Sequence, residues 1–339
     1  MNRLRGHQLR AIWKPEMYQG SMSMTRYFEG WYFKIVDASE ENAFAIIPGV
    51  SFGGIGEDSH SFVQIMNGCD ASSEYHSYGI DEFWSSKSQF LVKVGDNQFS
   101  QNGIKLHLQN DSQEVKGILR FGNIKPWPVS FFSPGAMGPF RFVPRMQTLH
   151  GIVSFDHEIK GRLEIDGKQV DFTGGRGYIE KDFGREFPSA WIWMQSNHFD
   201  ETGISFTSSI ANIPWLGNSF VGYLIGLLYE GEIYRFTTYT GARISQPMVT
   251  KDSVTFTVVD RDYAIDIQAR KTKSATLHSP VQGLMTGRIE ESLDAKIGVN
   301  FYRRKGSGWE KKYEGIGTSA GLEVMGDMEE IGAIEIMNS

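Results

Sequence analysis

The chain has 339 residues, 40% of them hydrophobic and 22% charged, which is typical of a packed globular protein long enough to form two domains. Its net charge of −6 argues against a nucleic acid partner, and its single cysteine, Cys69, excludes an intramolecular disulfide and a cysteine-based zinc site. No apolar run reaches the roughly 18 residues of a membrane span and no apolar signal segment follows the basic N-terminus, so we expect a cytoplasmic protein with at most transient membrane contact.

The first half of the chain predicts a series of short strands. The first strong signal is the aromatic run at residues 27–37, followed by apolar strands at 43–52 and 61–66. Apolar and polar residues then alternate on both sides of the hairpin signal Gly95-Asp96-Asn97, and residues 115–121 form one more strand. We find no amphipathic helix longer than two or three turns.

Residues 122–147 differ in character from the strands before them. The segment contains five prolines and five Trp or Phe residues, whereas a flexible linker would be polar. Prolines stiffen the backbone and aromatic rings favour packing. We therefore predict an ordered crossover between an N-terminal domain at 1–147 and a C-terminal domain at 148–339.

The second half resumes the strand pattern. A hairpin signal at Asp166-Gly167-Lys168 separates two short strands, residues 190–198 form an aromatic strand, and alternating runs continue to residue 325. Many short strands with regular turns imply antiparallel sheets. The fold class that we predict is all-β.

An internal repeat supports two copies of one β domain. When Trp31 is placed over Trp191, the apolar segment at 43–47 falls on 203–207, and the segment at 61–63 corresponds to 219–221. Three such matches in order indicate a repeat about 160 residues long. An antiparallel sheet of about eight strands, closed as a barrel or curved sandwich, fits that length and can enclose one small ligand.

Residues 173–199 hold the densest set of candidate site residues. Side chains alternate across a strand, so one face of the aromatic strand carries two tryptophans followed by two amides, a pattern that suggests a pocket wall. If the preceding segment is also extended, an acid pair shares a face with a tyrosine while Lys181 points away. The first group is Trp191, Trp193, Gln195 and Asn197, and the second is Tyr178, Glu180 and Asp182.

The segments at 27–34, 177–184 and 187–195 resemble the tocopherol cyclase family, as do 150–154 and 320–324. The resemblance extends from about residue 27 to 324, and the Glu-Lys pair followed by Phe-Pro and Trp-x-Trp is its specific part. The plant pattern reads Glu-Lys-Asn-Trp-Gly, and here Asp182 and Phe183 take the Asn and Trp positions. The resemblance implies two lipocalin-like β domains, similar to carotenoid hydratase-type proteins, and cyclisation of a prenylated quinol to a chromanol.

That chemistry requires a proton donor, aromatic faces near a tertiary carbocation, and exclusion of water. Burial can keep a carboxylic acid protonated near pH 7. Glu180 is the first candidate for the acid and Asp182 the second, with Glu29 or His150 next. No redox cofactor or metal is required, so we expect none. The candidates for contact with an isoprenoid ligand are Tyr178, Trp191, Trp193, Gln195, Asn197, Trp31, Glu29 and His150.

Other interpretations of these residues remain open. The Glu-Lys-Asp run could be a structural ion-pair network, the tryptophans could be core residues, and His150 could be structural. At the level of function, a lipocalin-like carrier that binds an apolar ligand without chemistry also needs an aromatic pocket. Only the enzyme needs a buried acid facing that pocket.

Overall fold

The computed structural model describes residues 11–143, 146–215 and 217–336. The basic N-terminus, on which the expected lack of a signal segment rests, and Pro144 lie outside these residues. The named elements are 24 β-strands and three short 3-10 helices (Ile80–Glu82, Gly138–Phe142 and Met328–Ile331), which confirms the all-β prediction. Within the described ranges, no helix has the length and hydropathy needed to cross a membrane.

The first sheet contains the first twelve strands. They are β1 (Tyr27–Val36), β2 (Ala43–Phe52), β3 (His60–Asn67), β4 (Ser72–Gly79), β5 (Phe83–Ser85), β6 (Leu91–Val94), β7 (Asn97–Ser100), β8 (Gly103–Gln109), β9 (Glu114–Gly122), β10 (Thr148–Ile165), β11 (Lys168–Asp171) and β12 (Arg176–Gly184). Their order is β4-β3-β2-β1-β12-β10-β9-β8-β7-β6-β5, with β11 paired to β10. Strand β12 therefore lies between β1 and β10.

The second sheet contains the remaining strands. They are β13 (Trp191–Ser196), β14 (Ser205–Trp215), β15 (Asn218–Tyr229), β16 (Glu232–Thr237), β17 (Arg243–Ile244), β18 (Met248–Thr250), β19 (Ser253–Val259), β20 (Tyr263–Arg270), β21 (Ala275–Val281), β22 (Leu284–Lys305), β23 (Gly308–Met325) and β24 (Ile334–Ile336). The order is β16-β15-β14-β13-β23-β22-β20-β19-β18-β24, and β24 joins β18 in parallel.

The chain forms two compact units whose boundary differs from the predicted one. The first unit comprises Met1–Phe187 and Thr276–Ile289, and the second comprises Pro188–Ala275 and Glu290–Ser339. The predicted division at 147/148 falls inside the first unit because β10 pairs with β9. The Pro/aromatic segment at 122–147 connects these two neighbouring strands, so it is a connection within one sheet rather than a crossover between domains.

Strand order confirms the repeat at the level of topology. The meander β1-β2-β3-β4 corresponds to β13-β14-β15-β16, and the strand that pairs with the first strand of each meander is β12 in one unit and β23 in the other. Trp31 and Trp191 thus occupy equivalent strands. Their side chains point to different faces, since Trp31 belongs to the core of its unit whereas Ile192 and Met194, not Trp191, belong to the core of theirs.

Each unit has its own hydrophobic core, as expected for two lipocalin-like antiparallel β-barrel or sandwich domains. In the first unit, the core residues of β1 and β12 recur with period 2, as in Trp31 and Phe33 on β1 and Ile179 and Phe183 on β12. The intervening residues of both strands lie on the opposite face. This alternation determines which polar side chains of β12 meet.

The hairpin at 276–289 belongs to the first unit although its sequence lies in the second half of the chain. Ser51 Oγ donates a hydrogen bond of 2.7 Å to the carbonyl of Gly283, and the backbone N–H of His278 donates one of 2.8 Å to Gln64 Oε1. The His278 ring also stacks on Tyr75, with centroids 4.3 Å apart. The first unit is therefore built from two separate stretches of sequence.

Candidate functional site

One face of β12 assembles a compact polar group that we call the β12 cluster: Tyr178, Glu180 and Asp182, with His150 of the adjacent β10. His150 stands directly opposite Asp182 in the β10–β12 register. The hydroxyl of Tyr178 donates to Glu180 Oε2 at 2.6 Å. His150 Nδ1 lies 3.0 Å from Asp182 Oδ1, and its Nε2 lies 3.6 Å from Glu180 Oε2. The imidazole thus connects the two carboxyl groups.

The members of the β12 cluster differ in their access to solvent. Tyr178 is fully buried and Glu180 is 5% exposed, whereas the side chain of Asp182 is 23% exposed. The His150 side chain, at 12%, is intermediate. The imidazole is placed to relay a proton from the exposed carboxyl group towards the buried one, because one ring nitrogen is hydrogen-bonded to Asp182 and the other lies 3.6 Å from Glu180.

The same cluster is the one group in the described part of the chain whose side chains are spaced for a metal ion. One ligand atom from each of His150, Glu180 and Asp182 lies within 4.8 Å of the others. Imidazole and carboxylate groups are ligands for several divalent ions. The sequence predicted no metal here, and the spacing makes that expectation testable with a chelator.

Sequence reasoning missed two side chains beside the cluster. Tyr32 of β1 stands opposite Glu180, and Lys34 stands opposite Tyr178, so both share the cluster's face of the sheet. Lys34 is fully buried. The period-2 pattern of β1 was visible in the sequence, but only the pairing register with β12 shows which of its residues meet Glu180.

The opposite face of β12 carries a separate buried ion pair. Lys181 Nζ lies 2.6 Å from Glu29 Oε1 and donates hydrogen bonds to the carbonyls of Pro15, at 2.9 Å, and Met17. It also lies 4.8 Å from the centroid of the Trp31 ring. Lys181 therefore points away from Glu180 and Asp182, as the alternation predicted, and its charge is neutralised elsewhere.

Glu29 and Trp31, which the sequence placed among the ligand contacts, lie with this ion pair on the core side of the first unit. Glu29 accepts hydrogen bonds from the backbone N–H groups of Gln19 and Gly20 and from the Tyr27 hydroxyl, the last at 2.5 Å. Burial, reinforced by the Glu29 charge, raises the pKa of Tyr27 well above its usual value, so this hydroxyl remains a donor. The arrangement does not bring Glu29 to the β12 cluster, and contact of Glu29 or Trp31 with a ligand stays a prediction.

The candidate residues of β13 lie in the second unit. The predicted alternation is confirmed for one face of β13, since Ile192 and Met194 belong to the hydrophobic core of the second unit. On the other face, Trp193 and Gln195 are also buried, but they lie outside that core. Asn197, just beyond the strand, is buried as well. Both side-chain polar atoms of Gln195 lack a hydrogen-bond partner among the described residues. A buried amide without partners is costly unless a ligand or water satisfies it.

Two acids beside this strand were not singled out from the sequence. The indole N–H of Trp191 donates to Glu323 Oε2 at 2.5 Å, and Trp193 stands opposite Glu323 in the β13–β23 register. Glu291, which is 1% exposed, in turn stands opposite Glu323 on β22. The segment at 320–324 was noted for its resemblance to the family, but no local pattern places its glutamate beside a residue more than a hundred positions earlier.

The predicted site residues are thus divided between the two units. The structure brings together Tyr178, Glu180, Asp182 and His150 in the first unit. It places Trp191, Trp193, Gln195 and Asn197 in the second unit. A ligand cavity along the β13 strand with Glu180 or Asp182 at its wall stays a prediction.

Comparison with known proteins agrees with the motifs. A family model described as tocopherol cyclase-like matches residues 135–326, which is more than half of the chain. The chain is 27% identical to the chloroplastic tocopherol cyclase of Zea mays over 52% of its own length. It is 22% identical to a probable chloroplastic tocopherol cyclase of Oryza sativa subsp. japonica, over 85% of this chain and 71% of the rice protein.

The match to the maize protein covers 36% of that protein's own length, so the matched segment spans about a third of this relative. Among solved structures, CghA crystallised with Sch210972 has a TM-score of 0.52 at 10% identity, covering 89% of both chains. A likeness at that identity concerns the fold. The family match and the predicted motifs together lead to one conclusion: this chain is a member of the tocopherol cyclase-like family.

Proposed function

We propose that this chain catalyses an acid-initiated cyclisation or hydration of an alkene in a small apolar, isoprenoid-type substrate, with Glu180 as the proton donor. The observation that supports this most is the β12 cluster. It combines a buried carboxyl group, a tyrosine hydroxyl bonded to it, and an imidazole that reaches a second, more exposed carboxyl group. Proton-transfer chemistry needs this combination, and a passive carrier does not.

In the proposed reaction, the Glu180 carboxyl group transfers its proton to one alkene carbon, and the other becomes a tertiary carbocation. A phenol oxygen of the substrate, or a water molecule in the hydration variant, then forms a C–O bond to that carbon. The proton lost from that oxygen passes to the Asp182 carboxylate and returns to Glu180 through His150, so the enzyme is regenerated and cyclisation is a net isomerisation. Glu180 is 5% exposed, so an alkene held against it would be shielded from water.

His150 and Asp182 would restore the proton to Glu180. The two ring nitrogens lie 3.0 Å from Asp182 Oδ1 and 3.6 Å from Glu180 Oε2, so one imidazole can accept a proton from one side and release it on the other. Tyr178 would hold the Glu180 carboxyl group in place, since its hydroxyl donates to Oε2. Glu29 has no part in this scheme because its carboxylate is occupied by Lys181.

The decisive experiment measures turnover and proton incorporation together. Prenylated quinols and related isoprenoid alkenes are incubated in D₂O, and products are analysed by mass spectrometry for one deuterium at the protonated carbon. Glu180→Gln should lower turnover by about 10²–10⁴-fold, the usual contribution of general acid catalysis, while ligand binding is retained. Glu41→Gln, which removes an exposed carboxylate at a turn, is the matched control.

Three outcomes would contradict the proposal. Full activity in both Glu180→Gln and Asp182→Asn would place the acid elsewhere. Tight binding of an isoprenoid by the wild-type protein, with neither product nor deuterium uptake across the panel, would favour the carrier. Activity that is lost with a chelator and restored by a divalent ion would instead indicate a metal held by His150, Glu180 and Asp182.

The cytoplasmic location stays a prediction, to be tested by cell fractionation.

A further inference from the structure

The connection between β9 and β10 displays aromatic side chains on the surface of the first unit. Phe131 and Phe132 are 70% and 78% exposed, and Phe142 and Val129 are 51% and 46% exposed. With the partly buried Trp13, these residues form what we call the aromatic patch. Contiguous exposed apolar side chains are unusual on soluble proteins and mark interaction surfaces.

The aromatic patch is an organised structure. Ser130 and Ser133 exchange backbone hydrogen bonds of 3.0 and 3.2 Å, which closes a tight turn with Phe131 and Phe132 at its tip. The Trp13 ring stacks on Phe131 at 5.7 Å, and its indole N–H donates to the Phe131 carbonyl at 3.2 Å. At the base of the connection, Trp127 is buried and stacks on Phe155. The exposed rings are therefore held outward on an ordered base.

The two segments that contribute to the aromatic patch carry only positive charge. Residues 1–15 and 122–147 contain seven basic residues and no Asp or Glu, although the whole chain has a net charge of −6. Lys14, which follows Trp13 in the sequence, and Lys125, which lies on the connection that carries the patch, are both exposed, and the first acidic residue, Glu16, is half-buried. The basic residues are Arg3, Arg5, Arg10, Lys14, Lys125, Arg141 and Arg145, of which Arg3, Arg5, Arg10 and Arg145 lie outside the described residues.

We propose that the aromatic patch is a membrane-docking surface that inserts between the headgroups of an anionic lipid bilayer. Tryptophan and phenylalanine side chains enter the interfacial region of bilayers, and neighbouring lysines and arginines are attracted to anionic lipids. Rings at the tip of a tight turn project outward, which suits insertion into a headgroup layer better than the close-packed core of a protein interface. The inference goes beyond the proposed chemistry and does not depend on it.

Vesicle flotation tests the proposal. The full chain is mixed with phosphatidylcholine vesicles, with or without phosphatidylglycerol, at low and high salt. The wild-type protein should float with the phosphatidylglycerol vesicles, and less so at high salt because the electrostatic part is screened. Phe131→Ser combined with Phe132→Ser should lower the partition coefficient by about tenfold or more, since two apolar side chains no longer leave water.

Matched variants separate the apolar and electrostatic contributions. Ile55→Ser removes a side chain that is 99% exposed elsewhere on the first unit, and it should leave flotation unchanged. Lys14→Glu with Lys125→Glu should weaken binding to phosphatidylglycerol vesicles, whereas Lys87→Glu with Lys168→Glu, two exposed lysines outside these segments, should have a much smaller effect. Trp13 fluorescence should also be quenched by brominated lipids, and Trp13→Phe should remove that component.

The proposal is overturned if the wild-type protein does not float with phosphatidylglycerol vesicles, or if the double serine variant floats equally well. It is also overturned if light scattering shows a wild-type dimer that the double serine variant converts to a monomer, since the patch would then join two copies of the chain. Turnover of detergent-dispersed substrate should be the same in the wild-type protein and in the double serine variant. Failure of the docking proposal is thereby distinguishable from failure of the proposed chemistry.

Discussion

Replacing Lys181 by methionine should destabilise the first unit while leaving the β12 cluster in place. The Lys181 side chain is 1% exposed, and its ammonium group contacts Glu29 and the carbonyls of Pro15 and Met17. Burial lowers the pKa of Lys181, an effect that the adjacent carboxylate opposes. Because all of its donors are used within the protein, Lys181 has none to offer a ligand.

The expected loss follows from what the substitution leaves behind. Methionine retains most of the apolar stem but leaves the Glu29 carboxylate, which is fully buried, without its counter-charge. Breaking a buried ion pair by removing one partner typically costs about 3–5 kcal/mol. The N-terminal arm should loosen as well, since two of its carbonyls lose their donor. Glu29→Gln combined with Lys181→Met removes both charges and should cost less than the sum of the two single changes.

Hydrogen exchange measured by mass spectrometry provides the assay, since it reports opening free energies for β1 and β12 separately from the second unit. Lys160→Met, at an exposed position of β10, is the control. The double variant should show a coupling energy of about 0.5–3 kcal/mol. The reasoning is refuted if Lys181→Met leaves the opening free energy of β1 and β12 within about 1 kcal/mol of wild type, or if the two single effects add without coupling.

Two further predictions concern the packing around His157. Burial, with a smaller contribution from the Arg176 charge, lowers the pKa of His157 from 6.5 to about 3; the stability it contributes is therefore complete above pH 6.5 and is lost as pH falls towards 3, by up to about 1.4 kcal/mol per pH unit. His157→Phe should remove this pH dependence. The free energy of unfolding is measured with denaturant from pH 7 to 4 for both proteins, and a difference between variant and wild type that does not change with pH would contradict the prediction. A Cβ added at Gly177 would lie 2.3 Å from His157 Nε2 and 2.9 Å from the Lys34 carbonyl. Gly177→Ala should therefore lower the free energy of unfolding by about 1–3 kcal/mol. Gly122→Ala is the control and should be near neutral, because a Cβ there meets nothing within 4 Å.

Local alternation made much of the fold predictable. Strands, hairpin turns and the all-β class depend on residues close in sequence, and period 2 determined that Glu180 and Asp182 share a face from which Lys181 is excluded. Strand pairing could not be read in the same way. The return of β10 to β9 is a long-range contact, so the Pro/aromatic segment between them was interpreted as a domain boundary. Partners such as Lys34 and Glu323 were missed because no local signal fixes register.

Comparison of the two units shows what register adds. Alignment of Trp31 with Trp191 identified equivalent strands but paired a core side chain with one that points away from the core. A shift of one residue reverses every side chain on a strand. When the strands are matched by face, Tyr32 opposite Glu180 on β1 and β12 corresponds to Trp193 opposite Glu323 on β13 and β23.

The next strand of each sheet, β10 in the first unit and β22 in the second, extends the correspondence between the two units. In the first unit His150 of β10 stands opposite Asp182 of β12, and in the second unit Glu291 of β22 stands opposite Glu323 of β23. Both copies of the fold therefore carry polar side chains on the same two central strands, on the face away from their own core: two acids and a histidine in the first unit, and one acid on each strand in the second. In the first copy, the His150 imidazole lies between the Glu180 and Asp182 carboxyl groups. Because an imidazole in this position can carry a proton between two acids, we propose Glu180 as the acid that regains its proton after each turnover.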